Sequence, residues 1–228
     1  MPTTPLFRDA ATLRSCDAQV VSVDGTSVIL DQSIFYPAGG GQPGDSGLLG
    51  AAKVMDTVKG DNETIVHVCE GSLPAVGETV KAELDWDRRY AMMRMHTALH
   101  LLSVAIPLPV TGGSIGAEKS RLDFDMPEAP EDKQAIEDAL NAMIAADHSV
   151  TTEWITDEEL DANPGLVKTM TVKPPRGQGR VRLVRIGDID LQPCGGTHVA
   201  ATAEIGKVRI GKIEKKGKQN RRVNLHFA

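Results

Sequence analysis

Cys194-Gly195-Gly196-Thr197-His198, read together with His96-Thr97-Ala98-Leu99-His100, decides how this chain must fold. Residues four apart on a helix lie one above the other on a single face, so the rings of His96 and His100 can reach one ion. Glycines let a backbone double back tightly, so Cys194 and His198 can do the same from a turn. Imidazoles with one thiolate suit Zn²⁺, at bond lengths of about 2.0–2.3 Å. Each half also has a plainer reading: the histidines as a buried structural pair, the cysteine as a small hydrophobe in an ordinary turn. Two ligand-compatible halves in a chain with only six histidines and three cysteines favour one zinc ion per chain. The fold must then bring two distant segments together.

The first half-site belongs to a helix expected over residues 86–106, capped by Asp85, with Met92, Met95, Leu99, Leu102 and Ile106 as its core stripe. His96 and His100 each follow a stripe residue by one position, which predicts a half-exposed place at the edge of the buried face. Position 97 is Thr, so the pair is not the His-Glu-x-x-His of a metalloprotease. Downstream, residues 114–124 read as one extended run, and Pro130-Glu131-Asp132 as the start of a second helix reaching about residue 146. Residues 150–155 read as a strand and 157–162 as a short helix. Residues 181–186, 206–213 and 221–227 alternate as strands. An α+β domain over residues 86–228 follows, with one sheet backing the cysteine turn against the long helix.

Residues 1–85 carry short, β-branched runs at 19–23, 27–30, 53–58, 64–68 and 79–84, bounded by Asp-Gly and Pro/Gly turns. A small β-barrel or sandwich is expected. Between its second and third runs lies Phe35-Tyr36-Pro37-Ala38-Gly39-Gly40-Gly41-Gln42-Pro43-Gly44-Asp45-Ser46-Gly47. Consecutive glycines contribute no packing and lose the most backbone entropy, so they signal close main-chain approach. The phosphate-loop lysine and the dinucleotide glycine spacing are both missing. Phe35 and Tyr36 argue for an anchored loop rather than a linker.

The chain has 228 residues, 41% of them hydrophobic and 25% charged, an ordinary globular profile. Neither a signal peptide nor a membrane span is recognisable. Cys16, Cys69 and Cys194 form no close pair, which speaks against a disulfide framework and for a reducing cytoplasm. Net charge is −6, but from residue 166 onward fourteen Lys and Arg face only four Asp and Glu. A basic end on an acidic protein suggests a polyanionic partner, although a solvated charged face explains such a run as well. The candidates for contact are Arg176 and Arg180 in the loop Lys173-Pro174-Pro175-Arg176-Gly177-Gln178-Gly179-Arg180, and Lys212, Lys215, Lys216, Arg221 and Arg222 on the last strands.

Three motifs now stand in order: Asp31-Gln32-Ser33-Ile34-Phe35-Tyr36 with its glycines and Gly44-Asp45-Ser46-Gly47, then His96 to His100, then Gln192-Pro193-Cys194-Gly195-Gly196-Thr197-His198-Val199. Together they resemble the alanyl-tRNA editing family, which comprises the editing half of alanyl-tRNA synthetase and its free-standing AlaX-type relatives. The resemblance runs from about residue 20 to the C-terminus. It implies hydrolysis of misacylated tRNA(Ala), carrying serine and sometimes glycine, with zinc on His96, His100, Cys194 and His198. It also implies action in trans on the acceptor end of that tRNA, with no membrane role; a monomer is assumed. Ser33 stands where much of the family has threonine, a position implicated in sensing the wrong amino acid's hydroxyl. The substrate pocket is accordingly expected to involve Ser33, Gly40, Gly41 and Gln42, with Thr111 near a further pocket position. Gln192-Pro193 replaces the Glu-Leu common in the synthetases and fits the free-standing branch. A zinc-stabilised RNA-binding module without catalysis, or a metallohydrolase of another ester, are the competing readings.

Overall fold

A computed structural model describes residues 1–170 and 179–228. The chain divides into two compact units, residues 1–91 and 92–228.

In the first unit, strands β1 (Thr4–Pro5) and β4 (Gln32–Ser33) pair in parallel. β2 (Ser15–Asp24), β3 (Ser27–Leu30), β5 (Gly47–Leu49), β6 (Ala52–Lys59), β7 (Ile65–Glu70) and β8 (Thr79–Leu84) close a barrel in the order β2-β3-β7-β6-β5-β8. Side chains alternate across each strand, so every second residue faces the interior. Val20, Val28, Leu30, Leu49, Val54, Val80 and Ala82 fill it, with Ile34 and Phe35 from the following segment. The turn between β2 and β3 uses Gly25 at φ +56°, the left-handed conformation a tight hairpin needs. The barrel of the sequence expectation is therefore present, and the three shortest strands, β1, β4 and β5, are additions to it.

The glycine-rich stretch is anchored. Phe35 and Tyr36 are buried, the Tyr36 amide donates to Asp45 Oδ2 at 2.6 Å, and the Tyr36 hydroxyl donates to the Gly39 carbonyl at 2.9 Å. Close approach falls on Gly44 and Gly47 rather than on the triplet. A Cβ at Gly44 would sit 2.1 Å from the Thr57 carbonyl, and one at Gly47 2.0 Å from that of Glu83. Beside them lies a buried ion pair, Arg89 Nη2 to Asp45 Oδ2 at 2.8 Å, with both side chains 1% exposed.

His67 on β7 is also interior. Its Nδ1 faces the Val28 carbonyl at 3.0 Å, which requires the proton there, and its Nε2 then accepts from Ser33 Oγ at 2.8 Å. Burial pushes the ring's pKa down to about 4, with the Val28 bond opposing. An unfolded histidine titrates near 6.5, so the unfolded chain binds the extra proton first as pH falls. The barrel's stability contribution from neutral His67 is thus whole above pH 6.5 and declines as pH drops toward 4, by about 3 kcal/mol in all. Urea midpoints measured between pH 7 and 4 are expected to fall more steeply for the native chain than for His67→Gln; parallel curves would contradict this.

The helix α1 (Trp86–Ala105) carries the second unit's first segment. A four-stranded sheet runs β14-β15-β10-β9, formed by β14 (Val208–Lys215), β15 (Asn220–Phe227), β10 (Lys119–Asp125) and β9 (Val110–Ser114). A separate three-stranded sheet runs β11-β12-β13, formed by β11 (Val150–Ile155), β12 (Val181–Ile186) and β13 (Asp190–Pro193). The expectation of one sheet is corrected to two, and the single run over 114–124 to a pair of antiparallel strands. The helix α2 (Lys133–Ala145) begins later than expected, because Asp132 accepts from the Ala135 amide and serves as its cap, leaving Pro130 outside. The short helix α3 (Asp157–Ala162) opens on a capping box between Thr156 and Glu159. Among the described residues no helix is long and apolar enough to cross a membrane.

Candidate metal centre

From Met95 to Ser103 every residue of α1 is buried. A helix enclosed on all sides needs apolar residues all round, and polar ones survive there only with partners. His96 and His100 are each 7% exposed, so the half-exposed edge expected of them is corrected: the rings are enclosed. The second half-site follows β13 directly. Arg182 on β12 holds its turn, donating through Nη1 to the carbonyls of Cys194 at 2.9 Å and Gly196 at 3.0 Å.

The two half-sites meet. One ligand atom from each of His96, His100, Cys194 and His198 lies within 4.8 Å of every other. Cys194 Sγ is 3.4 Å from His96 Nε2 and 3.3 Å from His198 Nε2. Tetrahedral zinc with ordinary bond lengths would separate sulfur and nitrogen by about 3.5 Å, so the donor set fits that ion in kind and in spacing.

The hydrogen bonds behind the rings determine which nitrogen faces inward. Thr97 Oγ1 donates its single proton to the Met93 carbonyl at 3.0 Å and therefore accepts from His198 Nδ1, 3.1 Å away. His198 Nε2 is left unprotonated beside the sulfur, as a metal ligand requires. His100 directs Nδ1 at Asp190 Oδ2, 3.1 Å away, and likewise turns Nε2 inward. Burial alone would raise the Cys194 thiol, yet the imidazoles of His96 and His198 hold its pKa well below the ordinary value and favour the thiolate. Burial, with His96 beside it, keeps His198 neutral.

The other expected site residues are placed as follows. Ser33 is fully buried, its oxygen bonded to His67 and to the Phe35 amide at 3.1 Å. Gly40 and Gly41 adopt φ of +59° and +83°, and Gln42 is buried, paired with Gly39 through the backbone. Thr111 donates to the Asp123 carbonyl at 3.1 Å and accepts from Asn220 at 2.7 Å. Of the basic residues, Lys212, Lys215 and Lys216 are exposed, Lys216 pairing with Glu214 at 2.8 Å. Arg222 is bonded through two nitrogens to Asp123 and lines a polar cleft with Lys119 and Arg121. Arg221 is buried, with its guanidinium on the carbonyls of Pro127, Gly217 and Asn220. Arg180 stacks 4.4 Å over the Trp154 ring, and Arg176 with the rest of 173–178 lies outside the described residues. Sequence reasoning overlooked His67 and Arg182, polar residues inside strand patterns, and Asp190, in a stretch that reads as a turn.

Comparison with known families finds matches in both units. Residues 181–224 match the threonyl and alanyl tRNA synthetase second additional domain, and residues 8–88 match the class II (A) tRNA synthetases. The alanyl-tRNA editing protein AlaX-M of Saccharolobus solfataricus is 36% identical, over 97% of both chains. AlaX-L of Pyrococcus horikoshii is 35% identical over 93% of this chain and 55% of its own length. Alanine–tRNA ligase of Pyrobaculum aerophilum is 41% identical over 93% of this chain, which spans 25% of the ligase. The chain belongs to the AlaX family of alanyl-tRNA editing proteins.

Proposed function

We propose that this chain is a trans-acting deacylase that removes serine, and glycine as a second substrate, from tRNA(Ala) at a zinc site on His96, His100, Cys194 and His198. The observation that carries the reading is the convergence of four donors from two distant segments, within a chain of the editing family. Bound there, zinc supplies a Lewis acid for the ester carbonyl or for a water molecule. The protein's own part is to hold one anionic sulfur and three imidazoles in place, a donor set whose single negative charge would leave a bound divalent ion net positive toward an anionic substrate.

Serine differs from alanine by one hydroxyl, and a pocket rejects such an addition only about a hundredfold. A site built around the hydroxyl loses on the order of 10⁴–10⁵ when that partner is missing. We assign this recognition to Ser33, with the Gly40–Gly41 backbone and Gln42 beside it in the first unit, and keep Thr111 as a further candidate in the second unit. The Ser33 proton is directed at His67 and its oxygen already accepts from the Phe35 amide, so a substrate hydroxyl would have to donate to its second lone pair. Ser33→Ala is expected to bring the rates on Ser-tRNA(Ala) and Ala-tRNA(Ala) together; an unchanged ratio would remove Ser33 from the assignment.

We assign the tRNA phosphates to the exposed lysines of β14. Neutralising each phosphate releases counterions, so affinity is expected to fall steeply with salt. Lys212→Ala with Lys215→Ala should flatten the slope of log affinity against log salt by about two. A slope identical to the native one would place the RNA elsewhere.

Four protein donors are also the count of a closed structural zinc site, which favours a second reading as an RNA-binding module without activity. Incubation with Ser-, Gly- and Ala-charged tRNA(Ala), with and without a chelator, separates the two.

A further inference from the structure

Asp190 on β13 has a side chain with no exposed surface, and a carboxylate keeps its charge there only when its oxygens have donors. Lys168 Nζ lies 2.5 Å from Oδ1. Gln192 Nε2 lies 2.7 Å from Oδ2, the oxygen that also receives His100 Nδ1. Gln192 donates in addition to Ser103 Oγ at 3.3 Å, and Ser103 donates to the carbonyl of His100 at 2.7 Å. The network thus returns to the backbone of the residue whose ring it orients.

We propose that Asp190, clamped between Lys168 and Gln192, is a positioning residue that fixes the orientation and tautomer of His100 toward the metal. This rests on the zinc reading given above. With the proton of Nδ1 committed to the carboxylate, the lone pair of Nε2 points toward Cys194 and His198, and the anion behind the ring makes that nitrogen a stronger donor. Lys168 approaches from the other oxygen and is 29% exposed. It offsets the carboxylate's charge without touching the ring. The two side chains therefore act on a bound cation in opposite senses, which a purely structural network would not do.

Zinc affinity of the full chain, measured by competition with a chromophoric chelator, reads this directly. Asp190→Asn is expected to bind zinc about 10–100-fold more weakly, with Asp190→Glu recovering part of the loss. Lys168→Met, which removes the offsetting charge, is expected to hold zinc at least as tightly as the native chain. The visible spectrum of the Co²⁺-loaded Asp190→Asn variant should shift as one ligand is released from its fixed geometry. Should the asparagine variant fail to fold, the contrast between Asp190→Glu, weakened, and Lys168→Met, not weakened, carries the same test. Affinity within twofold of native for Asp190→Asn overturns the proposal. So does a loss in both Asp190→Asn and Lys168→Met that tracks a lowered melting temperature of the metal-free chains. A native chain that takes up no zinc would instead sink the metal reading itself.

Discussion

Cys194→Ala combined with His198→Ala is expected to leave a chain that retains no zinc and deacylates Ser-tRNA(Ala) at least about 10³-fold more slowly than the native protein. The turn contributes the only thiolate of the cluster, and a ring whose inward nitrogen is defined by Thr97. Losing both leaves His96 and His100, one above the other on α1, and two imidazoles hold zinc poorly at neutral pH. Thr97 also loses the ring it accepts from, although the backbone carbonyls held by Arg182 remain. The metal-free native chain must therefore serve as the folding control, compared by circular dichroism. Metal content by atomic absorption and single-turnover hydrolysis are the two readings. Turnover persisting in a metal-free double variant would refute the catalytic zinc.

The second large effect falls in the barrel unit, on Asp45→Ala. Arg89 is 1% exposed and relies on this carboxylate for its charge; its remaining bonds are neutral ones, to the carbonyls of Ile34 at 2.9 Å and Ala11 at 3.4 Å. Removing one partner of a buried pair leaves an uncompensated charge and costs about 3–5 kcal/mol. That is a large fraction of what holds an ordinary domain together. The Tyr36 amide loses its acceptor in the same step, which loosens the anchor of the glycine-rich stretch. Asp45→Leu with Arg89→Met removes both charges and is expected to be less destabilised than Asp45→Ala, because no buried ion is stranded. Urea unfolding of the three chains decides the order. A double variant worse than the single would mean that shape, not charge, is what this pair provides.

The legibility of this protein varies with the range of the forces involved. Composition and spacing are local, so the long helix, the barrel strands and both half-sites could be read from Met92, Met95 and Leu99, from β-branched runs such as residues 53–58, and from the two pairs of ligands four apart. What could not be read is non-local. The helix was expected to be amphipathic with its histidines at an edge, yet every residue from Met95 to Ser103 is buried, and no local period announces enclosure by distant segments. Asp190 sits in Gly-Asp-Ile-Asp, which reads as a turn; only the register of β13 against β12 carries it inward to His100. His67 alternates in a strand like any polar residue, and its meaning appears only with Ser33 and Val28 beside it. The start of α2 was misplaced because Pro130 and Asp132 are both credible openings, and a single hydrogen bond from Ala135 decides for the aspartate. Strands of two or three residues, such as β1 and β5, are too short to carry a period at all.

Gly44 and Gly47 have a bearing on how variants of this protein would be interpreted. Any side chain at either place would drive a carbon into a backbone carbonyl about 2 Å away, where no rotamer offers escape. A saturation screen scored on growth under serine excess would therefore mark both positions as intolerant as the ligand residues, although neither has a functional group to offer. Separating the two kinds of hit takes a measure of soluble, folded yield alongside the phenotype: ligand variants should keep the barrel intact, and glycine variants should not.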